Sequence, residues 1–497
     1  MRGSLLVAGT TSDAGKSVLT AGICRWLARR GVRVAPFKAQ NMSNNSMVTP
    51  DGAEIGRAQA MQAAAAGVPA EAAMNPVLLK PGGDMRSHLV VMGQPAGEAD
   101  AAGYWTTGRD RLRATVLGAY DDLRSRFDVV VCEGAGSPAE INLRRGDLVN
   151  MGLARARDLP VIVVGDIDRG GVFAALYGTL ALLDAADQAH VGGFVINKFR
   201  GDRGLLAPGL ERLTELTGRP VLGVLPYLRG IWLDAEDAVA VERPKRADTG
   251  LAEMLRVAVI RLPRVSNFTD VDALALEPGV AVRFVTTPAE AADADLIVVP
   301  GTRATVDDLA WLRGQGLDTV LTSRAAANRP VLGLCGGYQM LGDVIEDGVE
   351  SGTQEAKGLG LLPVATRFRA AKTLGRPSGY ADGVPVTGYE IHHGTVEARG
   401  GDPWFTSEPG GGAALDGCRL GPVSGTLWHG VFENDEFRRR YLAHVARLAG
   451  RDFIPVPDTS FAAARQRVFD TLADAVDSYL DTAALLGLIT RGPAQDF

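Results

Sequence analysis

The sequence predicts an α/β protein with two domains, each built around a parallel sheet. Short β-branched runs alternate with Ala- and Leu-rich helical stretches along the chain, a pattern typical of parallel α/β architecture. At 497 residues the chain is longer than one hydrophobic core usually serves, so we expect at least two domains. A composition of 46% hydrophobic and 22% charged residues is ordinary for a folded protein.

Buried strands are predicted where short apolar runs end at Gly or polar residues. In the first half they lie at 4–8, 32–37, 128–132, 160–164 and 192–196. In the second half they lie at 256–261, 280–286, 296–299, 330–334 and 425–428. Apolar residues recur at helical spacing between 461 and 489, which predicts C-terminal helices packed on the body of the protein.

A charged, Pro-containing segment, VERPKRADTG, separates the two sets of strands. Such a composition is typical of a connection between domains. We therefore predict a first domain at 1–240, a linker at 241–252, a second domain at 253–450 and a helical extension at 451–497.

Bulk properties exclude several classes of function. A net charge of −6 argues against a nucleic-acid partner, because proteins that bind nucleic acids usually carry a positively charged surface. No apolar stretch approaches the roughly 20 residues of a membrane-spanning helix, and no signal peptide is evident, so we expect no membrane insertion. The four cysteines form no CxxC pair, which indicates neither a zinc site nor a disulfide scaffold. We expect a cytoplasmic protein.

The segment GTTSDAGKS at 9–17 lies between a predicted strand and a predicted helix. In this context backbone N–H groups and a helix N-terminus bind phosphates, which predicts an ATP site at Gly9, Gly15, Lys16 and Ser17. Lys16 would reach the outer phosphates and the Ser17 hydroxyl would hold Mg²⁺. Five residues rather than four separate the two glycines; this longer loop resembles that of dethiobiotin synthetase-like enzymes.

Magnesium also needs carboxylate ligands. Glu133 ends the strand DVVVC and precedes Gly134, so it would project at the sheet edge where α/β proteins bind ligands. Glu54, in a polar segment after the second strand, is a further candidate. The resemblance to dethiobiotin synthetase-like enzymes implies that Lys38 lies near the transferred phosphate and that Asn197 reads the nucleotide base.

The segment Gly-Leu-Cys-Gly-Gly at 333–337 lies between a predicted strand and a predicted helix. It is the cysteine counterpart of the nucleophile elbow, which predicts Cys335 as the catalytic nucleophile. The backbone N–H groups of Gly336 and Gly301 are candidate donors to an oxyanion. His429, in GTLWHGVF, occupies the usual place of the base in class I glutamine amidotransferases, which this half resembles.

One departure from that resemblance concerns the third member of the triad. The usual glutamate stands two residues after the histidine, a place taken here by Val431. Glu433 comes two residues later still. We therefore predict no standard Cys-His-Glu triad, and a third residue would mainly orient the imidazole.

The order of the two domains resembles cobyric acid synthases, cobyrinic acid a,c-diamide synthases and CTP synthases. Segments at 37–46 (FKAQNMSNNS), 165–174 (GDIDRGGVFA) and 196–202 (INKFRGD), with GLCGGYQMLG and GYEIHHG, favour the cobyric acid synthase family. The predicted fold is therefore a P-loop NTPase-type domain followed by a flavodoxin-like class I glutamine amidotransferase domain.

This resemblance implies an enzyme that uses ATP, Mg²⁺ and glutamine to amidate the b, d, e and g carboxylates of adenosylcobyrinic acid a,c-diamide, a corrinoid, through acyl phosphates. A substrate rich in carboxylates needs cations. Arg57, Lys80 and Arg86 lie in first-domain loops that could supply them.

Two alternatives remain open. A cobyrinic acid a,c-diamide synthase would perform the same chemistry on other carboxylates of the ring. A nucleotide switch of the ParA or MinD kind would resemble only the first 230 or so residues, and it gives no reason for Cys335 and His429.

Overall fold

The computed structural model describes residues 1–83, 86–100, 109–228, 230–231, 254–407 and 415–493, with only the backbone described at 83, 86, 98–100, 109, 353 and 407. The predicted linker at 241–252 lies outside these ranges. Parallel strands alternate with helices in both halves, so the predicted α/β class is confirmed.

The first half contains the following strands and helices. The strands are β1 (Gly3–Gly9), β2 (Val34–Phe37), β3 (Gln40–Met42), β4 (Ser46–Val48), β5 (Glu54–Gly56), β6 (Val77–Gly83), β7 (Arg86–Val91), β8 (Gln94–Asp100), β9 (Val129–Glu133), β10 (Val161–Asp166), β11 (Val191–Phe199) and β12 (Val221–Pro226). The helices are α1 (Lys16–Ala28), α2 (Arg57–Ala66), α3 (Arg109–Arg126), α4 (Met151–Arg157), α5 (Val172–Ala181), α6 (Ala185–Gln188) and α7 (Ala207–Thr217).

The second half is organised in the same way. Its strands are β13 (Leu255–Ile260), β14 (Val280–Val285), β15 (Leu296–Val299), β16 (Val331–Leu334), β17 (Val344–Asp347), β18 (Thr353–Lys357), β19 (Val364–Gly375), β20 (Ser378–Ala381), β21 (Val384–Thr387), β22 (Glu390–Ala398), β23 (Phe405–Ser407), β24 (Leu415–Asp416), β25 (Cys418–Leu420) and β26 (Val423–Thr426). Its helices are α8 (Asp272–Leu276), α9 (Pro288–Ala291), α10 (Thr305–Gly314), α11 (Leu317–Ala326), α12 (Gly336–Leu341), α13 (Asp435–Ala449), α14 (Phe461–Tyr479) and α15 (Thr482–Arg491).

Within the described residues of the first half, six strands form a parallel sheet in the order β12-β11-β10-β1-β9-β2. Its central strands β1, β9 and β10 are almost entirely buried and largely apolar, because apolar clusters cover both faces of the sheet. The carboxyl ends of β1, β9 and β11 therefore meet at one edge, and each strand has a residue predicted for the ATP or metal site at or near its end: Gly9, Glu133 and Asn197.

In the described part of the second half, six strands follow the order β14-β13-β15-β16-β26-β25. The pairs from β14 to β26 are parallel, whereas β25 pairs with β26 in the antiparallel sense. Apolar clusters again cover both faces. The carboxyl ends of β13, β15, β16 and β26 share one edge.

Smaller sheets that the sequence did not predict lie between these two cores. Strands β3, β6, β7 and β8 form one of them, and β18, β17, β19 and β22 form another. Val48 on β4 packs against Tyr389 and Ile391 beside and on β22, so an apolar contact joins the two halves of the chain.

The C-terminal helices return to the first sheet. Val476 and Leu480 pack with Ile23 and Trp26 of α1 in one apolar cluster, and Phe469 packs between α1 and α2. At the rim of this contact, arginines in α1 and directly after it form ion pairs with aspartates of α14: Arg25–Asp470, Arg29–Asp474 and Arg30–Asp477. The end of the chain thus stabilises its beginning.

We predict that Phe469→Ala lowers the free energy of unfolding by about 3 kcal/mol or more, because it empties a fully buried site. Urea unfolding followed by circular dichroism measures the effect. Asp474→Ala is the matched control on the same helix: its side chain is exposed, so no resolvable change is expected. Equal effects of the two substitutions would contradict the packing described.

Candidate functional site

The phosphate loop curls around Lys16 at the carboxyl end of β1. Gly15 adopts φ 101°, a left-handed conformation that glycine adopts at little cost. The Lys16 ammonium donates to the carbonyls of Thr11 (2.8 Å), Ser12 (3.1 Å) and Gly136 (3.1 Å). The amine is thereby held inside the loop, where a phosphate chain would lie.

Glu133 is the centre of a buried polar cluster beside this loop. Its side chain is fully buried and accepts hydrogen bonds from the Ser17 hydroxyl (2.8 Å), the Lys38 ammonium (2.9 Å) and the Gln62 amide. The structure therefore brings together Ser17, Lys38 and Glu133, which the sequence singled out separately. Gln62, on α2, was not anticipated.

The Ser17 hydroxyl and the Glu133 carboxylate fit a magnesium ion. Both are oxygen donors of the kind Mg²⁺ prefers, and this ion usually takes one or two protein ligands together with waters and phosphate oxygens. Among the described residues there is no cluster of three or more His, Cys, Asp and Glu side chains that would hold a metal alone. A site completed by nucleotide phosphates agrees with both observations.

Asn197 lies at the end of β11 against the same loop. Its side-chain amide donates to the Ala14 carbonyl (3.0 Å). The residue is therefore at the predicted edge of the ATP site, and its role in reading the base stays a prediction.

Glu54 was predicted as a metal ligand, but its observed contacts are of another kind. It is fully buried and bonded to Ser46 (2.8 Å), Lys80 (2.7 Å) and Lys372 (2.5 Å). Lys372 and Lys80 lower the pKa of this carboxyl against the opposing effect of burial. None of these contacts involves Ser17 or Glu133, so Glu54 belongs to a cluster with Ser46, Lys80 and Lys372 rather than to the polar cluster around Glu133.

The predicted substrate-binding cations are also ion-paired. The Arg57 guanidinium donates to Glu433 (2.5 Å) and to the Tyr389 hydroxyl (3.3 Å), and it is 4% exposed. Lys80 is equally buried and pairs with Glu54. The Arg86 side chain lies outside the described part of the structure. A buried pair with Glu433 is not what a role in binding substrate carboxylates predicts for Arg57, whereas the role of Lys80 stays a prediction.

Cys335 occupies a strained turn between β16 and α12. Its φ of 49° and ψ of −111° are costly for a residue with a side chain, and its N–H donates to the Thr426 carbonyl (2.8 Å). A Cβ at Gly337 would lie 1.9 Å from the Val299 carbonyl oxygen, so only glycine permits this close approach. The predicted elbow is present.

His429 has an acidic partner that the sequence did not reveal. Its Nδ1 lies 2.6 Å from Asp270 Oδ2, and the other oxygen of Asp270 accepts the Gly430 N–H at 2.8 Å. Asp270 belongs to the short 3₁₀ turn Phe268–Val271. The carboxylate thus fixes both the imidazole and its backbone, as the third member of a triad does.

The electrostatics agree with this arrangement. Burial alone would lower the pKa of His429, but Asp270 and Cys335 outweigh it and raise that pKa to about 10. The protonated form of the imidazole is therefore favoured near the Cys335 sulfur. Such a group can deliver a proton to a leaving amine.

The absence of glutamate at Val431 is explained by this geometry. Glu433 binds Arg57 and Arg465 and not His429, whose partner is supplied by the turn after β13. In the sequence, Asp270 could be recognised only as an acidic residue that follows β13. The carboxyl end of β13 lies at the same edge of the sheet as those of β16 and β26. Because 159 residues separate the pair, local spacing could not identify it.

Both predicted oxyanion donors lie near this centre. Gly336 is the first residue of α12, where N–H groups have no partner within the helix. A Cβ at Gly301 would come within 3.2 Å of His429 Cε1, which places that turn beside the imidazole. Their function as donors stays a prediction.

Two family models match the two halves of the chain that hold these two sites. A model described as the CobQ/CobB/MinD/ParA nucleotide binding domain matches residues 5–238, and a model described as the CobB/CobQ-like glutamine amidotransferase domain matches residues 256–437. The fold and the two sites therefore define a glutamine amidotransferase joined to a nucleotide-binding domain.

Relatives that match over nearly the whole chain identify the family within this class of protein. The cobyric acid synthase of Frankia casuarinae is 62% identical, over 99% of this chain and 98% of its own length. That of Streptomyces coelicolor is 59% identical, over 100% and 98%. The chain belongs to the cobyric acid synthase family. A solved glutamine amidotransferase structure matches with a TM-score of 0.32 and 18% identity, over 39% of this chain and 98% of that one.

A search of the described residues finds no helix that is both long and apolar enough to span a bilayer.

We predict that Asp270→Asn lowers glutaminase kcat/KM on the order of 100-fold or more, because the imidazole loses the carboxylate that orients it and stabilises its protonated form. The pKa of His429 should fall when the raising effect of the carboxylate is removed. The alkaline limb of the pH–rate profile should then move to lower pH, as measured by glutamate release. Asp307→Asn, at an exposed position, should change neither quantity. A wild-type profile for Asp270→Asn would contradict the triad.

Proposed function

We propose that this protein converts the b, d, e and g side-chain carboxylates of adenosylcobyrinic acid a,c-diamide to amides, giving adenosylcobyric acid in cobalamin biosynthesis. ATP activates each carboxylate and glutamine supplies the nitrogen. The observation that carries the proposal is the presence, in one chain of the cobyric acid synthase family, of the phosphate loop with Lys16, the adjoining Lys38–Glu133 pair and the Cys335–His429–Asp270 arrangement.

In the first domain, a substrate carboxylate oxygen would attack the terminal phosphorus of ATP. This releases ADP and gives an acyl phosphate, which has the leaving group that a carboxylate lacks. Lys16 and Lys38 would stabilise the charge on the transferred phosphoryl group. A magnesium ion held by Ser17 and Glu133 would neutralise phosphate charge when bound. Ammonia then attacks the acyl carbon and inorganic phosphate leaves.

In the second domain, the Cys335 sulfur would attack the side-chain carbonyl of glutamine. His429 gives its proton to the departing ammonia, and a thioester with Cys335 remains. Water attacks the thioester, glutamate leaves and the thiol regains its proton. The N–H groups of Gly301 and Gly336 are the proposed donors to the oxyanion, and Asp270 keeps the imidazole in the required orientation.

Electrostatics near Lys80 support a site for an anionic corrinoid. Burial, and then Arg303, His393 and Lys372 together with Lys80, lower the pKa of His88 to about 3. Two carboxylates face these cations, since Glu54 pairs with Lys80 and Lys372 and Glu350 pairs with Arg303, and the cations still act on His88. We propose that this region attracts substrate carboxylates, with Lys80 contributing charge and, through the resemblance alone, Arg86.

Free thiols support a cytoplasmic location. Cys24, Cys132, Cys335 and Cys418 all lie in the described residues, and each is buried and free, as expected in a reducing compartment.

A cobyrinic acid a,c-diamide synthase remains the second candidate, because its chemistry would use the same two sites. The masses of the products separate the two. A nucleotide switch is disfavoured by the complete Cys335–His429–Asp270 arrangement, which such a protein would not use.

The test is mass spectrometry of adenosylcobyrinic acid a,c-diamide after incubation with the protein, Mg-ATP and glutamine. Four successive exchanges, each lowering the mass by about one unit, are expected. With Cys335→Ser we predict at least a 100-fold loss with glutamine, on the order of a lost nucleophile, but near wild-type product when ammonium replaces glutamine. Loss of the ammonium reaction as well would contradict the assignment of Cys335 to ammonia release, and unchanged substrate with the wild-type protein would contradict the proposed function.

A further inference from the structure

Helix α2 of the first domain touches both functional sites. Near its middle, the Gln62 amide donates to the Glu133 carboxylate and to the Ser17 carbonyl (3.4 Å). At its start, Arg57 reaches the second domain. Five residues separate these positions, which is a rise of about 7.5 Å along a helix. One short rigid element therefore spans the distance between the phosphate cluster and the glutaminase domain.

Arg57 contacts the side chain of Tyr389, which in turn contacts His429, the predicted catalytic base. Its guanidinium donates to the Tyr389 hydroxyl (3.3 Å) and its carbon lies 5.8 Å from the centre of the Tyr389 ring. That ring stacks on the His429 imidazole with a centroid distance of 5.2 Å and an interplanar angle of 23°. The backbones of Tyr389 and His429 also exchange hydrogen bonds of 3.0 and 2.8 Å. A shift of Tyr389 would therefore move the imidazole.

The Arg57 end of the helix is firmly held. Glu433 accepts from Arg57 (2.5 Å) and from Arg465 (3.1 Å), and these two arginines lower the pKa of Glu433 to about 2 although burial opposes them. A buried ion pair of this kind is costly to break from one side. It ties the position of α2 to that of the turn that follows His429.

A second contact reaches the other side of the imidazole. The Ser46 N–H donates to Asn267 Oδ1 at 2.9 Å, and Asn267 immediately precedes the turn that carries Asp270. Ser46 also bonds Glu54, which lies on β5, and β5 leads directly into α2. The first domain thus contacts the residue before the Asp270 turn as well as the ring that stacks on His429.

We propose that Arg57 is a positioning residue, and that α2 couples the state of the phosphate site to glutamine hydrolysis through Arg57, Tyr389 and His429. The inference rests on the proposed function. The Glu133 oxygens accept hydrogen bonds from Gln62, Lys38 and Ser17. A ligand that binds Glu133 competes for these oxygens. If it displaces the Gln62 amide, α2 loses a contact with the phosphate site and can change its position. An effector can act in this way only through contacts that differ between two states, and the Gln62–Glu133 hydrogen bond is such a contact.

The test compares two ratios measured on the full chain. The first is glutaminase kcat/KM with and without Mg-ATP and the corrinoid. The second is the rate at which a diazoketone analogue of glutamine alkylates Cys335, with and without the same additions. We expect a stimulation of about fivefold or more in the wild type, falling toward no stimulation in Arg57→Met and partly recovered in Arg57→Lys. Tyr389→Phe, which removes only the accepting hydroxyl, should reduce both ratios.

The matched control is Arg25→Met, which breaks another ion pair of the first domain with a distant segment but touches neither site; its ratios should equal those of the wild type. Ammonium-dependent amidation tests the proposed function separately, and Arg57→Met should retain it. An equal loss of ammonium-dependent amidation would make Arg57 a substrate-binding residue and overturn the inference. Unchanged ratios in Arg57→Met, or an unstimulated wild type, would also overturn it, while leaving the proposed function intact.

Discussion

The buried ion pair between Arg57 and Glu433 is the constraint on which the arrangement of the two domains depends. The Arg57 side chain is 5% exposed and that of Glu433 is 29% exposed, so contact between the two domains without this pair would leave the Arg57 charge buried without its carboxylate. Where the domains meet, Tyr389 is held between Arg57 and His429, and Lys372 reaches Glu54. The relative placement of the two domains and the geometry of the base are therefore set by the same contacts.

Each site follows the same rule of parallel sheets, in which ligands bind at the carboxyl ends of strands. In the first sheet, β1 leads into the phosphate loop and β9 ends at Glu133. In the second, β16 leads into the Cys335 turn and β26 ends shortly before His429. The chemistry of each half thus lies on loops that a rigid sheet positions.

The sequence predicted the parts of these sites that depend on local geometry. A glycine loop between strand and helix identified Lys16 and Ser17, and a glycine-flanked turn identified Cys335, because those motifs constrain a few consecutive residues. Asp270 and Gln62 were missed because their importance arises only when the chain folds. The predicted strands were found, the last of them at Val423–Thr426 rather than at 425–428, because burial on both faces leaves continuous apolar runs.

The ion pairs between residues of the two domains could not be predicted from the sequence. Glu54 and Arg57 were expected at a metal and a substrate, since an isolated acid or base in a loop carries no sign of its partner. The structure gives both of them partners from the second domain, Lys372 and Glu433. The C-terminal helices were predicted to pack on the body, and the contact with α1 became visible only in three dimensions.

The measurement that tests the central claim most directly counts glutamate and new amide groups in the same reaction. If glutamine hydrolysis is coupled to amide formation, one glutamate appears for each amide formed, and little glutamate appears when ATP or the corrinoid is left out. Glutamate released at the same rate whether or not ATP and the corrinoid are present would contradict that claim.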